Sequence, residues 1–296
     1  MPEPVVVFAT ADARVCSDRA LVLQSLGIPH EILRDADRLL LIVPDEVAER
    51  AKYELWQYEQ ENRPPRPRPA PLIGRYQDPV PGVLGYVLVL CGIGWLAGRS
   101  AFGLDWLAAG RIDGAALRAG EWWRAFTALT LHGGVGHLLG NLGFGALFGG
   151  LAARLLGSGI TWLAVVLAAG AGNALNVLLL ESTHRSVGAS TAVFAALGLL
   201  AGFAWRARLM AQDRWAFRLG PLIGGIALLA YTGTGDAQTD IGAHLSGFLC
   251  GFAGGTGLTF VADRLEGGRR QAVCGIAALA VIVLAWVQAL VTAAAG

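Results

Sequence analysis

Apolar and polar positions follow two different rhythms along this chain. In residues 1–62 the periods are those of a small water-soluble fold. Val5 to Thr10 is a β-branched run that reads as a strand, and Asp12 to Leu26 carries apolar residues at helical spacing and stops at Gly27. Ile32 to Leu33 and Leu39 to Val43 read as short strands around Asp35-Ala36-Asp37, with Asp45 to Asn62 as a second helix. The resulting βαββα unit has a core just large enough to fold. Residues 63–79 follow as a stiff, extended linker, Arg63-Pro-Pro-Arg-Pro-Arg-Pro-Ala-Pro71 at its start, because proline fixes φ and blocks helix propagation. Beyond it the alternation gives way to seven apolar runs, near 81–98, 136–156, 159–180, 188–205, 219–233, 241–262 and 272–293. About 20 residues cross roughly 30 Å of hydrocarbon, so these runs predict an α-helical polytopic membrane protein with seven transmembrane helices. The first run is not a cleaved signal peptide, since a folded unit precedes it.

Composition agrees and narrows the class. The 296 residues are 54% hydrophobic and only 15% charged, against about 25% charged in a soluble domain, which excludes a cytosolic enzyme. The 41 glycines lack a collagen period and point to helices packed closely in lipid. A net charge of +1 gives no reason to expect a nucleic-acid partner. Cys16, Cys91, Cys250 and Cys274 are scattered without metal-ligand or disulfide spacing, so neither a zinc site nor a disulfide framework is expected. Basic residues beyond residue 62 divide unevenly, five on one side of the membrane and twelve on the other. The positive-inside rule then predicts a cytoplasmic N-terminus and an external C-terminus. Lys52 is the only lysine among 23 basic residues, which suggests a GC-rich bacterial genome and hence a bacterial inner membrane.

Strongly polar groups within such runs are costly and usually face a cavity or a site. They are His137 and Asn141 in the second run, Asn173 and Asn176 in the third, Ser190 in the fourth and His244 in the sixth. His137, Ser190 and His244 each lie within a few residues of the outer end of a run, which places them at one depth. A hydroxyl, a base and amide or imidazole donors at one level are the parts that acyl transfer requires. Gly188-Ala-Ser190-Thr-Ala192 is a near-match to the nucleophile pattern in which small neighbours expose a serine. Each part also has a plainer explanation, a helix-packing serine bonded back to a carbonyl and a packed histidine. Gly247 and Gly251 form a G-x-x-x-G that suits close approach of the sixth run to another helix; if that helix is the fourth, Ser190 and His244 come within reach. The second, third, fourth and sixth runs contain no Asp or Glu. Asp240 is the one acid near His244 and reads as a helix cap, leaving a Ser-His dyad. His30 reads as a surface residue.

Taken together these residues resemble the rhomboid family of intramembrane serine proteases. Glu121-Trp122-Trp123-Arg124 is similar to the family's E-x-W-R, His132-Gly-Gly-Val-Gly-His137-Leu-Leu-Gly-Asn141 to its H-x-x-x-x-H-x-x-x-N, Gly188-Ala-Ser190 to its G-x-S, and Ala243-His244 through Gly247 to Gly251 to its A-H-x-x-G-x-x-x-G. The resemblance covers roughly residues 80–262 and implies a six-helix catalytic core there. Residues 263–296 then form a loop and an extra C-terminal helix. It implies Ser190 as nucleophile and His244 as general base, with Asn141, His137 and the Ser190 N–H as the oxyanion hole. His132, Phe194 and Gly188 would support the cavity. Thr191 stands where members often have glycine, and Phe194 where they commonly have tyrosine. The implied activity is an endopeptidase that cuts transmembrane segments of other proteins near the outer face through an acyl-enzyme, without metal or cofactor. The alternative is an inactive relative that binds and routes transmembrane helices. A solute transporter is disfavoured because the halves 81–180 and 188–293 show no inverted repeat. The N-terminal unit resembles, in arrangement alone, small α+β domains before some bacterial rhomboid cores, and the sequence leaves its role open between binding a protein partner, dimerisation and regulation.

Overall fold

The computed structural model describes residues 4–62, 77–179, 183–207, 223–224, 240–264 and 267–295. The chain divides into two compact units, Met1–Pro69 and Ala70–Gly296. In the first, β1 (Pro4–Thr10), β2 (Glu31–Asp35) and β3 (Arg38–Pro44) form an antiparallel sheet in the order β1-β3-β2. Helices α1 (Ala13–Ser25) and α2 (Asp45–Glu61) complete the βαββα order. α1 begins where Asp12 Oδ1 accepts the N–H groups of Arg14 and Val15, at 2.8 and 3.4 Å. The chain leaves it through Gly27, whose φ of +67° suits glycine. The alternating pattern of β3 turns Leu41 and Val43 onto Leu23, Ala51 and Leu55 of the two helices.

The second unit is helical. α3 (Val80–Gly98) leads into a long connection containing α4 (Trp106–Gly110), β4 (Ile112–Asp113), α5 (Gly114–Arg118) and α6 (Arg124–Thr127). α7 (Val135–Leu156) and α8 (Ser158–Leu179) follow, then β5 (Arg185–Ser186), α9 (Ser190–Arg206), α10 (Ile241–Leu258) and α11 (Gly268–Ala295). Four of these, α3, α7, α8 and α11, are long and apolar enough to cross a membrane. The run expected at 219–233 lies outside the described residues apart from 223–224, as does most of the linker. The sixth run differs from its expected single helix over 241–262, since the α-helix ends at Leu258 and a tighter 3-10 helix spans Thr259–Arg264.

α9 is the central helix, buried from Thr191 to Leu199 and again from Ala201 to Phe203. Its neighbour α10 presses against it backbone to backbone, as the Gly247 and Gly251 spacing predicts. A Cβ on Gly247 would stand 2.5 Å from the Thr191 carbonyl oxygen and 2.9 Å from Thr191 Cγ2; on Gly251 and Gly255 it would overlap the carbonyls of Ala195 and Leu199. In return, Gly198 and Gly202 of α9 lie against the backbone of Phe248 and Phe252. α8 joins the same point, for a Cβ on Gly172 would be 2.8 Å from both N and Cα of Gly247. Apolar burial drives helices together weakly in lipid, so such close van der Waals and Cα–H···O contact is the main attraction available.

The long connection is fastened to this bundle. Thr127 Oγ1 donates to the Gly110 carbonyl at 2.7 Å and Asn173 Nδ2 to the Ala125 carbonyl at 2.8 Å. β4 pairs with β5, just before Ser190. α11 is held at both ends: Gln271 Nε2 donates to the Leu156 carbonyl at 2.8 Å, and Trp286 Nε1 donates to Thr130 Oγ1 at 3.0 Å. Trp123 is not part of a surface aromatic belt. It is buried with Trp106 and Trp286, whereas Trp122 is half exposed.

Gly251→Val should therefore wedge the seam open, costing at least the 1–3 kcal/mol of ordinary overpacking, read as a lower unfolding temperature in detergent. Gly254→Ala, whose Cβ meets only Leu199 Cδ1 at 3.7 Å, should change little.

Candidate active site

Ser190 is the first residue of α9. The chain reaches it through Gly188, which has φ of +141°, a backbone that side chains rarely allow. Sterics demand glycine there as well: a Cβ would lie 2.7 Å from His137 Cε1 and 2.8 Å from His137 Nε2. The same point is 3.5 Å from Ser190 Oγ, so the imidazole and the hydroxyl flank one small space. Gly188 N–H donates to the Ala128 carbonyl at 3.0 Å, which fixes the turn to the long connection. Thr191 points away, buried in the α9/α10 seam, so its bulk packs a helix crossing.

His244 lies three residues before Gly247 on α10 and is buried. Its ring stacks on Phe194, with centroids 4.5 Å apart and planes at 25°. Phe194 is one turn below Ser190 on the same face of α9, so serine and imidazole approach from adjoining helices. His244 Nδ1 is buried without a hydrogen bond to the described residues, and no bond among them joins the ring to Ser190.

Asn141 and His137 stand one turn apart on α7. Asn141 is buried; its backbone carbonyl accepts the Tyr86 hydroxyl at 2.7 Å, while its Nδ2 has no acceptor among the described residues. Tyr86 is itself stacked on Trp162, at 4.7 Å, and occupies the space left by Gly145. His137 is exposed, and its ring meets that of His132 edge-on at 5.2 Å. Burial above all, with His137 adding to it, pushes the His132 imidazole down to about 4.

Two carboxylates frame the site. Arg124 Nε donates to Glu121 Oε2 at 2.6 Å, and its Nη1 reaches the carbonyls of Ala108 and Arg111, both at 2.9 Å, so one guanidinium gathers three parts of the long connection. Asp240 caps α10 by accepting the Ala243 N–H at 3.0 Å. Its carboxylate also takes Asn176 Nδ2 at 3.0 Å and the His184 ring at 2.7 Å. Burial opposes its charge, yet the Ala243 N–H, His184 and Asn176 outweigh it and hold the carboxyl below the usual range. None of its hydrogen bonds among the described residues goes to the His244 ring. The expected cap is present.

The family model of the Rhomboid domain matches residues 119–260, the stretch that contains all of these groups except Tyr86 and the Ala108 and Arg111 carbonyls. Residues 119–260 are therefore a Rhomboid domain. It is 32% identical over 148 residues to the Rhomboid protease GluP of Bacillus subtilis, a stretch that is 49% of this chain and 28% of that relative. This rhomboid therefore spans little more than a quarter of the length of the relative it matches.

Sequence reasoning missed two residues of the rhomboid site, Tyr86 and His184. Each makes its contact with a residue 55 or 56 positions away, Asn141 and Asp240 respectively. The one available signal was negative: two polar rings next to apolar runs with no local partner.

Two outcomes follow for this rhomboid. Asp240→Ala should cost about 0.5–2 kcal/mol of unfolding free energy through the lost cap, and Asp240→Asn, which keeps an accepting oxygen, less. For His132 the folded pKa lies below the ordinary value of about 6.5, so its contribution is whole above that pH and falls away as the pH drops towards 4. Thermal unfolding against pH should show a decline across that window that is shallower in His132→Phe.

Proposed function

We propose that this rhomboid is an intramembrane serine endopeptidase that cuts transmembrane segments of other proteins near the outer face. The observation that carries this is the seam: the two helices bearing Ser190 and His244 are the pair pressed backbone to backbone, with the His244 ring seated on Phe194. The name of its relative, a rhomboid protease, points the same way.

In this reading Ser190 Oγ attacks the scissile carbonyl carbon as its proton passes to His244. The oxyanion is met by Asn141 Nδ2, His137 and the Ser190 N–H. That N–H belongs to the first turn of α9, where no intrahelical acceptor exists and the helix dipole is positive. Leaving Asn141 Nδ2 buried and unpaired costs about 1–3 kcal/mol, an expense that makes sense for a donor held ready for charge that forms only during reaction. As the intermediate collapses, the C–N bond breaks and His244 returns the proton to the leaving amine. Water activated by the same ring then cleaves the serine ester and restores the hydroxyl. Substrates with small or helix-weakening residues suit the site, because an intact helix shields its peptide bonds. Positive-inside counting supports a bacterial inner membrane location with the N-terminus cytoplasmic, where the α+β unit would meet a protein partner.

The absence of a Ser190–His244 hydrogen bond favours one other reading, a rhomboid that binds helices without cutting. Against it, dyad bonds are often long until substrate arrives, and every reacting group is present. Purified protein in detergent should cleave a model transmembrane substrate and be labelled by a fluorophosphonate probe. Ser190→Ala and His244→Ala should lose both, and Asn141→Ala should retain about 10⁻² to 10⁻³ of kcat. Cleavage surviving Ser190→Ala would sink the proposal, and a wild-type protein inert to probe and substrate would favour the binder.

A further inference from the structure

A cleft of about 720 Å³ runs along the helical unit, walled mainly by α3, α8 and α11, from Gln77, Ser158 and Gly268 at its mouth to Thr130 and Ala192, two residues from Ser190, at its inner end. Its origin is geometric. α3 leans on α7, where Tyr86 fills the place of a Gly145 side chain, and α11 leans on α8, where the Gln271 backbone covers Gly159. The first and last helices meet around Trp106 and Trp286, and among the described residues the cleft lies between them. The walls are apolar, and Leu88, Ile276 and Leu279 on them are more than half exposed. Since all three helices are membrane-spanning in length and composition, the open side of the cleft faces hydrocarbon.

Its mouth is different in kind. Ser158 and Gly268, the first residues of α8 and α11, both line it. Two basic residues flank it: Arg154, whose carbonyl accepts the N–H of the lining Gln77 at 2.8 Å, and Arg269, next to Gly268. Both are exposed. The one carboxylate lining it among the described residues, Asp78, accepts the Val80 N–H at 3.0 Å and so caps α3. A spanning helix about 10 Å wide and 30 Å long fills on the order of 2,000 Å³, well beyond this space, whereas an extended hydrocarbon chain is thin enough to enter.

We infer that the cleft holds an acyl chain of an anionic phospholipid, with the phosphate at the mouth between Arg154 and Arg269. The chain packs on Gly85, Tyr86 and Leu279. It thereby backs the tyrosine whose hydroxyl holds the Asn141 carbonyl. This site is independent of whether the protein cuts peptides.

The test uses the full chain in phosphatidylcholine nanodiscs doped with phosphatidylglycerol that carries a diazirine in its acyl chain. Photolabel should concentrate in peptides from 80–90 and 268–282. It should fall about tenfold in Gly85→Phe, whose Cβ meets nothing within 4 Å. Arg154→Gln with Arg269→Gln should remove a preference of about tenfold over the equivalent phosphatidylcholine probe, as two surface cations warrant. Leu279→Trp serves as a second blocking variant should Gly85→Phe not fold. Label spread evenly over lipid-facing helices, or unchanged by both blocking variants, overturns the site. Equal labelling by the two lipids overturns the anionic headgroup, and cross-linking of one copy to another through α11 assigns the cleft to a protein contact.

Discussion

Carbonyl oxygens of α9 occupy the places where side chains of α10 would otherwise stand, and the rest of the helical unit is arranged around that fact. Ala195 and Leu199 face Gly251 and Gly255, while Gly198 and Gly202 receive the backbone of Phe248 and Phe252. Ridge meets groove over about three turns of α9, so neither helix can slide or rotate without driving a Cβ or a carbonyl into its neighbour. Such a contact fixes axial register. Ser190 at the head of α9 and His244 near the head of α10 are then held at one level by residues that take no part in chemistry. The same constraint explains why Thr191 is accommodated: its methyl group fills the crossing at Gly247, on the side away from the hydroxyl of Ser190.

A rigid seam positions two helices but not the segment that delivers Ser190, and here hydrogen bonds take over. Gly188 is tied to Ala128, β5 to β4, and Asn173 to Ala125, so the turn before the serine is bonded to the long connection rather than left to itself. That connection is organised in turn by Arg124, which binds Glu121 and two carbonyls at once. A planar, permanently charged fork suits such multiple acceptance better than an ammonium does. The E-x-W-R stretch thus acts on the site through backbone geometry, and Trp123 serves as an internal anchor against Trp106 and Trp286.

What could be read from residue order alone follows the range of the forces involved. The strands and helices of residues 4–62 arise from local periodicity and caps, and their order was legible. So was the close approach of α10 to α9, since a G-x-x-x-G pair declares a flat helix face whatever lies opposite. The end of α10 at Leu258 was not, because apolarity continues through Ala262 and hydropathy does not distinguish an α-helix from a 3-10 turn. Nor were His184 and Tyr86, whose partners are set by how whole helices pack. Trp122 and Trp123 show the limit most plainly: adjacent identical residues, one half exposed and one buried, separated only by the direction each leaves the chain.

The placement of the one acid near His244 follows from the cost of charge in lipid. A carboxylate on α7, α8, α9 or α10 would have to be desolvated, a penalty of several kcal/mol that only excellent pairing repays. At the end of α10, Asp240 escapes much of that cost and finds three partners of its own, the Ala243 N–H, Asn176 and His184. Its full hydrogen-bond complement leaves little reason for it to turn towards His244. Orientation of the imidazole must then come from elsewhere, and the face of Phe194 provides it: a stacked ring constrains tilt and depth without a hydrogen bond. In the proposed dyad, packing takes the part that a buried carboxylate has in a water-soluble triad, with groups that the membrane tolerates.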